Sequence, residues 1–308
     1  MSEVLPSTSE PVGFRRRLLM EKLIGIGFAM PATLLLLTTS IAPLAVLIVL
    51  SFTDYDLGNL DFAFVGVANF GKAMTDPVFR RSLWNTFVYV AIVLPLAVGL
   101  SLLVATLVHG RSKLARSFYE VVYFLPVTST LIAMAAVWTF VLHPTLGPVN
   151  ALLDVLGIER KAFLSEPALV LPTLAMIGVW HLIGFNMVLF LAGLTAIPKD
   201  LYEAAEVDGC ANAVDRFLTI TWPLLGPTTM FVIVTTSITA FKVFDTVAVM
   251  THGGPIGASE VLLYAIYLEG FQYFHTAYAA ALTLIFLVFI LVFSVVQAFV
   301  LERRTHYG

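Results

Sequence analysis

Among the 308 residues of this chain, one stretch gathers side chains whose types and spacing could do chemistry: AIPKDLYEAAEVDGCANAVDRFLT, Ala196–Thr219. It sets five carboxylates (Asp200, Glu203, Glu206, Asp208 and Asp215) among small residues and beside only two cations, Lys199 and Arg216. Ile197-Pro198 ends whatever precedes it, and Asp200 is placed to cap a new helix on which Leu201, Ala204 and Ala205 share a face. Asp208 comes at the helix end, and Gly209 permits a sharp turn before a second short helix over Ala211–Phe217. An acidic hairpin with alanines on one side makes a small, flat knob onto which another protein's backbone can close. The blander reading is an amphipathic connector among lipid headgroups. Its acidic excess is unfavourable beside anionic lipid, which favours a protein partner. The chemistry expected here is recognition, with no catalytic group.

Other chemistries find little support. GVANFGKA (Gly66–Ala73) approaches the phosphate-binding pattern G-x-x-x-x-G-K-[ST], but Ala73 offers no hydroxyl to a magnesium ion. His109, His143, His181, His252, His275 and His306 are scattered, H-E-x-x-H is absent, and Cys210 stands alone, so neither a metal site nor a disulfide is expected. A balance of 17 Lys+Arg against 20 Asp+Glu supplies no basic field for nucleic acid. Lys242 and Asp245 are spaced i, i+3 and could pair on a helix; the sharper alternative is that Lys242 faces a solute.

These residues must be positioned by a very apolar chain. With 59% hydrophobic and 12% charged residues it is too greasy for an ordinary soluble domain. Six stretches are long enough to cross about 30 Å of hydrocarbon: approximately 23–52, 84–108, 118–142, 169–195, 220–241 and 277–301. The first holds Pro31 and Pro43, so a tilt or kink is expected there. An all-α integral membrane protein with six spans follows, flanked by terminal segments 1–22 and 302–308. Placing the N-terminus inside puts Arg15, Arg16, Arg17, Lys22, Arg111, Lys113, Arg116, Lys199, Arg216, Arg303 and Arg304 in the cytoplasm. Only Lys72, Arg80, Arg81, Arg160, Lys161 and Lys242 then lie outside, so both termini are expected to be cytoplasmic. No Asp, Glu, Lys or Arg falls deep within a span, and His181 alone is ionisable there, which argues against an ion-coupled carrier. In the first outer loop a short surface helix is expected to carry Phe79 and Leu83 on one face, with Arg81 opposite. In the second, His143–Ile158 reads as a turn and a short amphipathic segment. In the third, THGGP (Thr251–Pro255) reads as a turn open to close backbone approach.

EAAEVDG (Glu203–Gly209) resembles the EAA motif of permease subunits of binding-protein-dependent ABC importers. The family pattern continues to a hydrophobic residue and a Pro, supplied here by Ile220 and Pro223. The sequence departs by one extra residue between Gly209 and Ile220, and by Trp222 where Leu is usual. Further matches are VGVANF (Val65–Phe70), Asn85-Thr86, FLP (Phe124–Pro126) followed by Trp138, GPVN (Gly147–Asn150), FKVFD (Phe241–Asp245) and THGGP. Together they resemble the carbohydrate-uptake branch, similar to the maltose-permease F chain and the glycerol-3-phosphate permease A chain.

The resemblance implies a MetI-like, type I importer permease fold in a bacterial inner membrane. It implies, besides the lipid bilayer, four kinds of partner: a second homologous permease, two cytoplasmic ATPase subunits that carry ATP and magnesium, an extracytoplasmic solute-binding protein, and a sugar-like solute. In such a machine ATP binding draws the two EAA loops together and turns the cavity outward. Glu203, Ala204, Ala205, Asp208 and Gly209 become the residues expected to couple to an ATPase. Glu203 would pair with donors around the docking helix, the alanines would permit close packing, and Gly209 would make the turn. The resemblance places the solute path at 178–186 and 235–243, where Trp180, His181, Phe185, Asn186, Thr236, Thr239 and Lys242 are of types that suit a sugar. Aromatic faces fit its C–H surfaces, and amide, hydroxyl and imidazole groups fit its hydroxyls. The plainer reading packs Trp180 and Phe185 on neighbouring helices and turns the threonines back to their own backbone.

Overall fold

The computed structural model describes residues 12–302 except 60 and 211, with side chains described for 20–300 apart from those two. Arg303, Arg304, Ala211, the tail beyond residue 302 and the first eleven residues therefore lie outside the described residues.

The described chain is helical, with one isolated bridge pairing Thr53 with Phe64. α1 (Val12–Leu36) runs through a π turn (Leu37–Ile41) into α2 (Ala42–Ser51). The expected disturbance is thus a local widening: the Ala42 N–H reaches the Leu37 carbonyl. Pro43 has no N–H for Thr39, while the Thr38 and Thr39 hydroxyls donate back to Leu34 and Leu35. α3 (Ala68–Thr75) precedes α4 (Pro77–His109). Phe79, Arg81 and Leu83 belong to the first turns of α4, not to a separate surface helix; the short helix of this loop is α3, which ends at Thr75. Asp76 makes the difference: its side chain accepts from the Val78 N–H and Pro77 occupies the first turn, so the long helix starts before the apolar block does.

α5 (Lys113–Thr128) and α6 (Leu131–Val141) meet at 98° instead of forming one straight span. Ser129 and Thr130 are extended, and the Thr130 hydroxyl caps α6 on Ala133. α7 (Pro148–Val155) is the expected short segment, and α8 (Pro167–Ala196) is the expected fourth span. The fifth is also broken: α9 (Lys199–Val207) and α10 (Ala213–Arg216) lead through a π turn (Phe217–Thr221) and α11 (Trp222–Leu224) to α12 (Gly226–Phe241), with a 70° bend at Leu225. α13 (Leu262–Tyr267) and α14 (Thr276–Glu302) complete the order. Four stretches (Met20–Ser51, Pro77–His109, Pro167–Ala196 and Thr276–Val300) are unbroken and apolar enough to cross a membrane; counting each bent pair as one span makes six.

Two buried clusters stabilise the bundle along its length. Tyr89, Val93, Leu174, Phe241 and Leu282 gather α4, α8, α12 and α14 near one end. Phe241 sits edge-on to Phe87, Phe289 and Phe293. Met187, Phe190, Leu194, Leu225 and Val232 form the second cluster near the other end, joined by the partly buried Tyr202 and Ile220. From Met20 to Pro43 every side chain is exposed, so this apolar stretch finds no cover among the described residues.

Candidate functional site

The acidic hairpin forms much as its residues dictate. Pro198, not Asp200, occupies the cap of α9. It has no side chain to accept a bond, and Asp200 sits inside the first turn, where its charge favours the helix dipole. Asp208 closes the helix and Gly209 follows at φ +89°, a conformation that a Cβ would strain. The second helix is capped by Asn212, whose side chain accepts from the Val214 N–H, and covers only Ala213–Arg216. A π turn follows it, in which the Trp222 N–H reaches back to Phe217.

Glu203, Ala204, Glu206, Asp208 and Gly209 are exposed, as is Val207 at 88%. Ala205 is half-buried on the opposite side with Tyr202. No side chain among the described residues bonds the Glu203 carboxylate. The Tyr202 hydroxyl lies 2.9 Å from that of Thr221, a residue only 6% exposed at the base of the broken fifth span. It is the one side-chain hydrogen bond, among the described residues, from the hairpin to the bundle.

Of the seven expected path residues the structure brings three together. His181, Thr239 and Lys242 line a cavity of about 220 Å³ with Tyr89, Asp245 and Thr246. Thr239 also donates to the carbonyl of Thr235, as the plainer reading had it. Tyr89 and Thr246 were not among the expected residues; the Thr246 hydroxyl is buried there without a partner. Lys242 and Asp245 form no ion pair, because α12 ends at Phe241 and the i, i+3 geometry is lost. Asn186 and Thr236 meet each other instead of the cavity, the amide donating to the hydroxyl at 2.9 Å between α8 and α12. Trp180 sits edge-on to Trp138 at 5.4 Å, and Phe185 is 42% exposed.

At the end of the bundle that bears loop 242–275, a clamp appears that sequence reasoning missed. Arg81, itself exposed, pairs at 2.6 Å with the largely buried Glu260. The Asn85 amide donates to the carbonyls of Gly257 and Glu260, and the Thr86 hydroxyl accepts from the Leu262 N–H. The adjacent Asn85-Thr86 was the available signal, but its partners lie more than 170 residues away. Within THGGP, Gly253 has φ +78° and a Cβ there would sit 3.2 Å from the Tyr264 ring, which bears out the expected close approach. Lys72 of the near phosphate-loop lies over the ring of Tyr278 at 4.1 Å, a cation–π contact in an ordinary helix. In the exposed α7 region, Arg160 holds the Asp154 carboxyl below its usual range by direct hydrogen bonding.

A family model described as binding-protein-dependent transport system inner membrane component matches residues 79–306. The chain belongs to this family. The permease is 34% identical to the sn-glycerol-3-phosphate transport system permease protein UgpA of Agrobacterium fabrum over 82% of its own length and 86% of that protein. It is 35% identical to the probable ABC transporter permease protein YesP of Bacillus subtilis over 89% of each chain. Its fold is that of a chain in the crystal structure of a bacterial ABC transporter involved in import of the acidic polysaccharide alginate. There the TM-score is 0.84 at 23% identity, covering 94% of the permease and 99% of the other chain. A second structure of a bacterial alginate ABC transporter, in complex with alginate pentasaccharide-bound periplasmic protein, matches equally well. Both broken spans of the permease thus belong to a fold that the family model and the structural match support together.

Proposed function

We propose that the permease forms, with a second homologous permease, the path for a sugar or sugar-like solute in an ATP-driven importer, and that α9 and Gly209 form its seat for an ATPase subunit. The observation that carries this reading is the exposed acidic edge of α9, whose Glu203 has no side-chain partner among the described residues while Tyr202 ties the same helix to the fifth span. A push on that edge is delivered to α11 and α12 through Tyr202 and Thr221. The sequence holds no complete phosphate-binding loop, in keeping with ATP and magnesium on separate chains. The lysine and arginine bias places the hairpin and both termini in the cytoplasm and loop 242–275 outside. The exposed apolar surface of α1 is suited to lipid or to the second permease.

The solute class follows from the cavity beside α12. One cation, one carboxylate, an imidazole and three hydroxyl-bearing side chains suit a hydroxyl-rich molecule of little net charge. The relatives' names also carry hydroxyl-rich molecules, glycerol 3-phosphate and the acidic polysaccharide alginate, although both of those are anionic. An extracytoplasmic binding protein would deliver it.

The test is ATP hydrolysis by the assembled transporter. Glu203→Lys is expected to leave the chain inserted and complexed but to abolish hydrolysis stimulated by the loaded binding protein. Unchanged stimulated hydrolysis removes α9 from the coupling role. Solute accumulation by this chain alone in liposomes would restore the ion-coupled carrier.

A further inference from the structure

Beside the cavity at Lys242 lies a second, larger recess of about 580 Å³, built from the segment after α12 and from α13. The two share Phe244, which lines both. Phe244 meets Tyr267 edge-on at 5.3 Å and Tyr264 at 6.1 Å, and Tyr264 and Tyr267 are 6.2 Å apart, so three rings form one wall. Tyr273 is exposed opposite, with His252 and Gln272 also lining the recess.

The polar ends of these rings have hydrogen-bonding capacity left. No partner engages the hydroxyls of Tyr264 or Tyr273 among the described residues, although Tyr264 as a whole is only 6% exposed. The Tyr267 hydroxyl accepts from the Gln272 amide at 2.9 Å, which leaves its proton to donate and the Gln272 carbonyl to accept. Burial and the neighbouring Glu260 push the Tyr264 phenol up, so it remains a donor. The Tyr264 ring is buried while its hydroxyl stays open to the recess, where water or a ligand hydroxyl can meet it. Neither Lys, Arg, Asp nor Glu lines the recess. Ligand-binding pockets run to about 300–1,000 Å³. This recess falls within that range, whereas the cavity at Lys242, at about 220 Å³, falls below it.

We propose that the recess of Phe244, Tyr264, Tyr267 and Tyr273 is an entry subsite that binds one neutral pyranose ring, stacked on the aromatic wall, before the solute passes Phe244 into the smaller cavity. Aromatic faces meet the apolar C–H face of such a ring while phenols and an amide meet its hydroxyls. An anionic solute would lose hydration here and find no countercharge. The rigidity of the wall has a visible source. Gly253 brings the THGGP turn down on Tyr264, and Asn85 and Thr86 pin the segment that enters α13. The proposal rests on the importer reading and on the outward placement of loop 242–275.

The experiment measures sugar binding to the intact transporter in lipid nanodiscs without ATP, by saturation-transfer NMR with maltotriose, cellotriose, raffinose and trigalacturonate as probes. At least one neutral probe is expected to bind and trigalacturonate not to. Tyr267→Ala should weaken the bound neutral probe by about tenfold, and Tyr267→Phe, which keeps the ring, by about threefold. Failure of every neutral probe, equal binding of trigalacturonate, or unchanged affinity in Tyr267→Ala overturns the subsite. Tyr273→Cys in a Cys210→Ser background should react with a membrane-impermeant maleimide. Protection in the sugar-free transporter would mean that another subunit covers the recess, which also overturns it. ATP-driven uptake is read separately: its absence in every form undoes the importer reading and leaves the binding result standing.

Discussion

Loop 251–262 and hairpin 197–216 lie at opposite ends of the bundle. Asn85 gives two hydrogen bonds to the carbonyls of the loop, Thr86 accepts one from Leu262, and Arg81 pairs with Glu260. The hairpin, in contrast, reaches the bundle through one hydroxyl pair, Tyr202 with Thr221, and through buried Ile197 at its root. Asn85 and Thr86 are buried, whereas the hairpin's carboxylates are all exposed. A segment held by several buried hydrogen bonds keeps one shape while the helices move. A segment held by one can tilt as a lever and transmit that tilt. The difference is one of fastening: several side-chain hydrogen bonds hold the loop end, and one such pair holds the hairpin end.

Gly209→Asp should break the contrast most severely. At φ +89° the added side chain strains the turn, and we expect stimulated ATP hydrolysis by the assembled complex to vanish while the chain still inserts. Wild-type coupled turnover would remove Gly209 from the lever. Next in size is Asn85→Leu, which leaves two carbonyls of the clamp without their donor. It should destabilise the detergent-solubilised protein by about 3 kcal/mol, seen as a lower unfolding midpoint. A midpoint equal to wild type would show that the clamp is not what holds the loop.

Tyr202→Phe sharpens the comparison, because it keeps the ring in its cluster and removes only the hydroxyl. Stability should change by about 1 kcal/mol or less, while solute moved per ATP hydrolysed should fall several-fold in proteoliposomes. An unchanged ratio would mean that packing alone transmits the tilt. Asn186→Leu, inside the bundle between both ends, should cost about 1 kcal/mol by losing its bond to Thr236, with uptake kinetics little altered. A large uptake defect at normal stability would return Asn186 to the solute path.

The smallest effect concerns pH at α7. Arg160 depresses the Asp154 carboxyl, so the pair's contribution is present above the ordinary carboxylate pKa and is lost as pH falls through the lowered value. Arg160→Ala should move that acid titration, followed by NMR at Asp154, upward toward the ordinary range. Both groups are exposed, so the overall unfolding midpoint at neutral pH should not move.

Much of the fold was legible because hydrophobic length is a local property. Pro167–Ala196 and Thr276–Glu302 fall within a few residues of the apolar blocks at 169–195 and 277–301. The α9 helix and the Gly209 turn were equally plain, since a Pro, a short run of helix formers and a Gly act over one or two turns. The breaks were not. Pro126 and Pro227 mark where backbone donors are missing, but whether a helix kinks, widens or stops depends on what accepts the freed carbonyls. The path residues were half legible. His181, Thr239 and Lys242 do line one cavity, yet Asn186 and Thr236 satisfied each other, and Lys242 fell past the end of the helix assumed to carry it.

By itself, then, the order of residues determined that this chain must live in a bilayer, roughly which blocks cross it, and that an acidic helix and a glycine turn join the fourth and fifth blocks. These follow from transfer free energy and backbone geometry over a few consecutive residues. Only the tertiary structure decided that Arg81 and Asn85 hold a loop more than 170 residues away, that Tyr202 leans on Thr221, and that four aromatic residues after the fifth span line one recess. Such pairings depend on how distant helices cross, and crossing angles are set by the sum of many side-chain contacts that no short window of sequence contains.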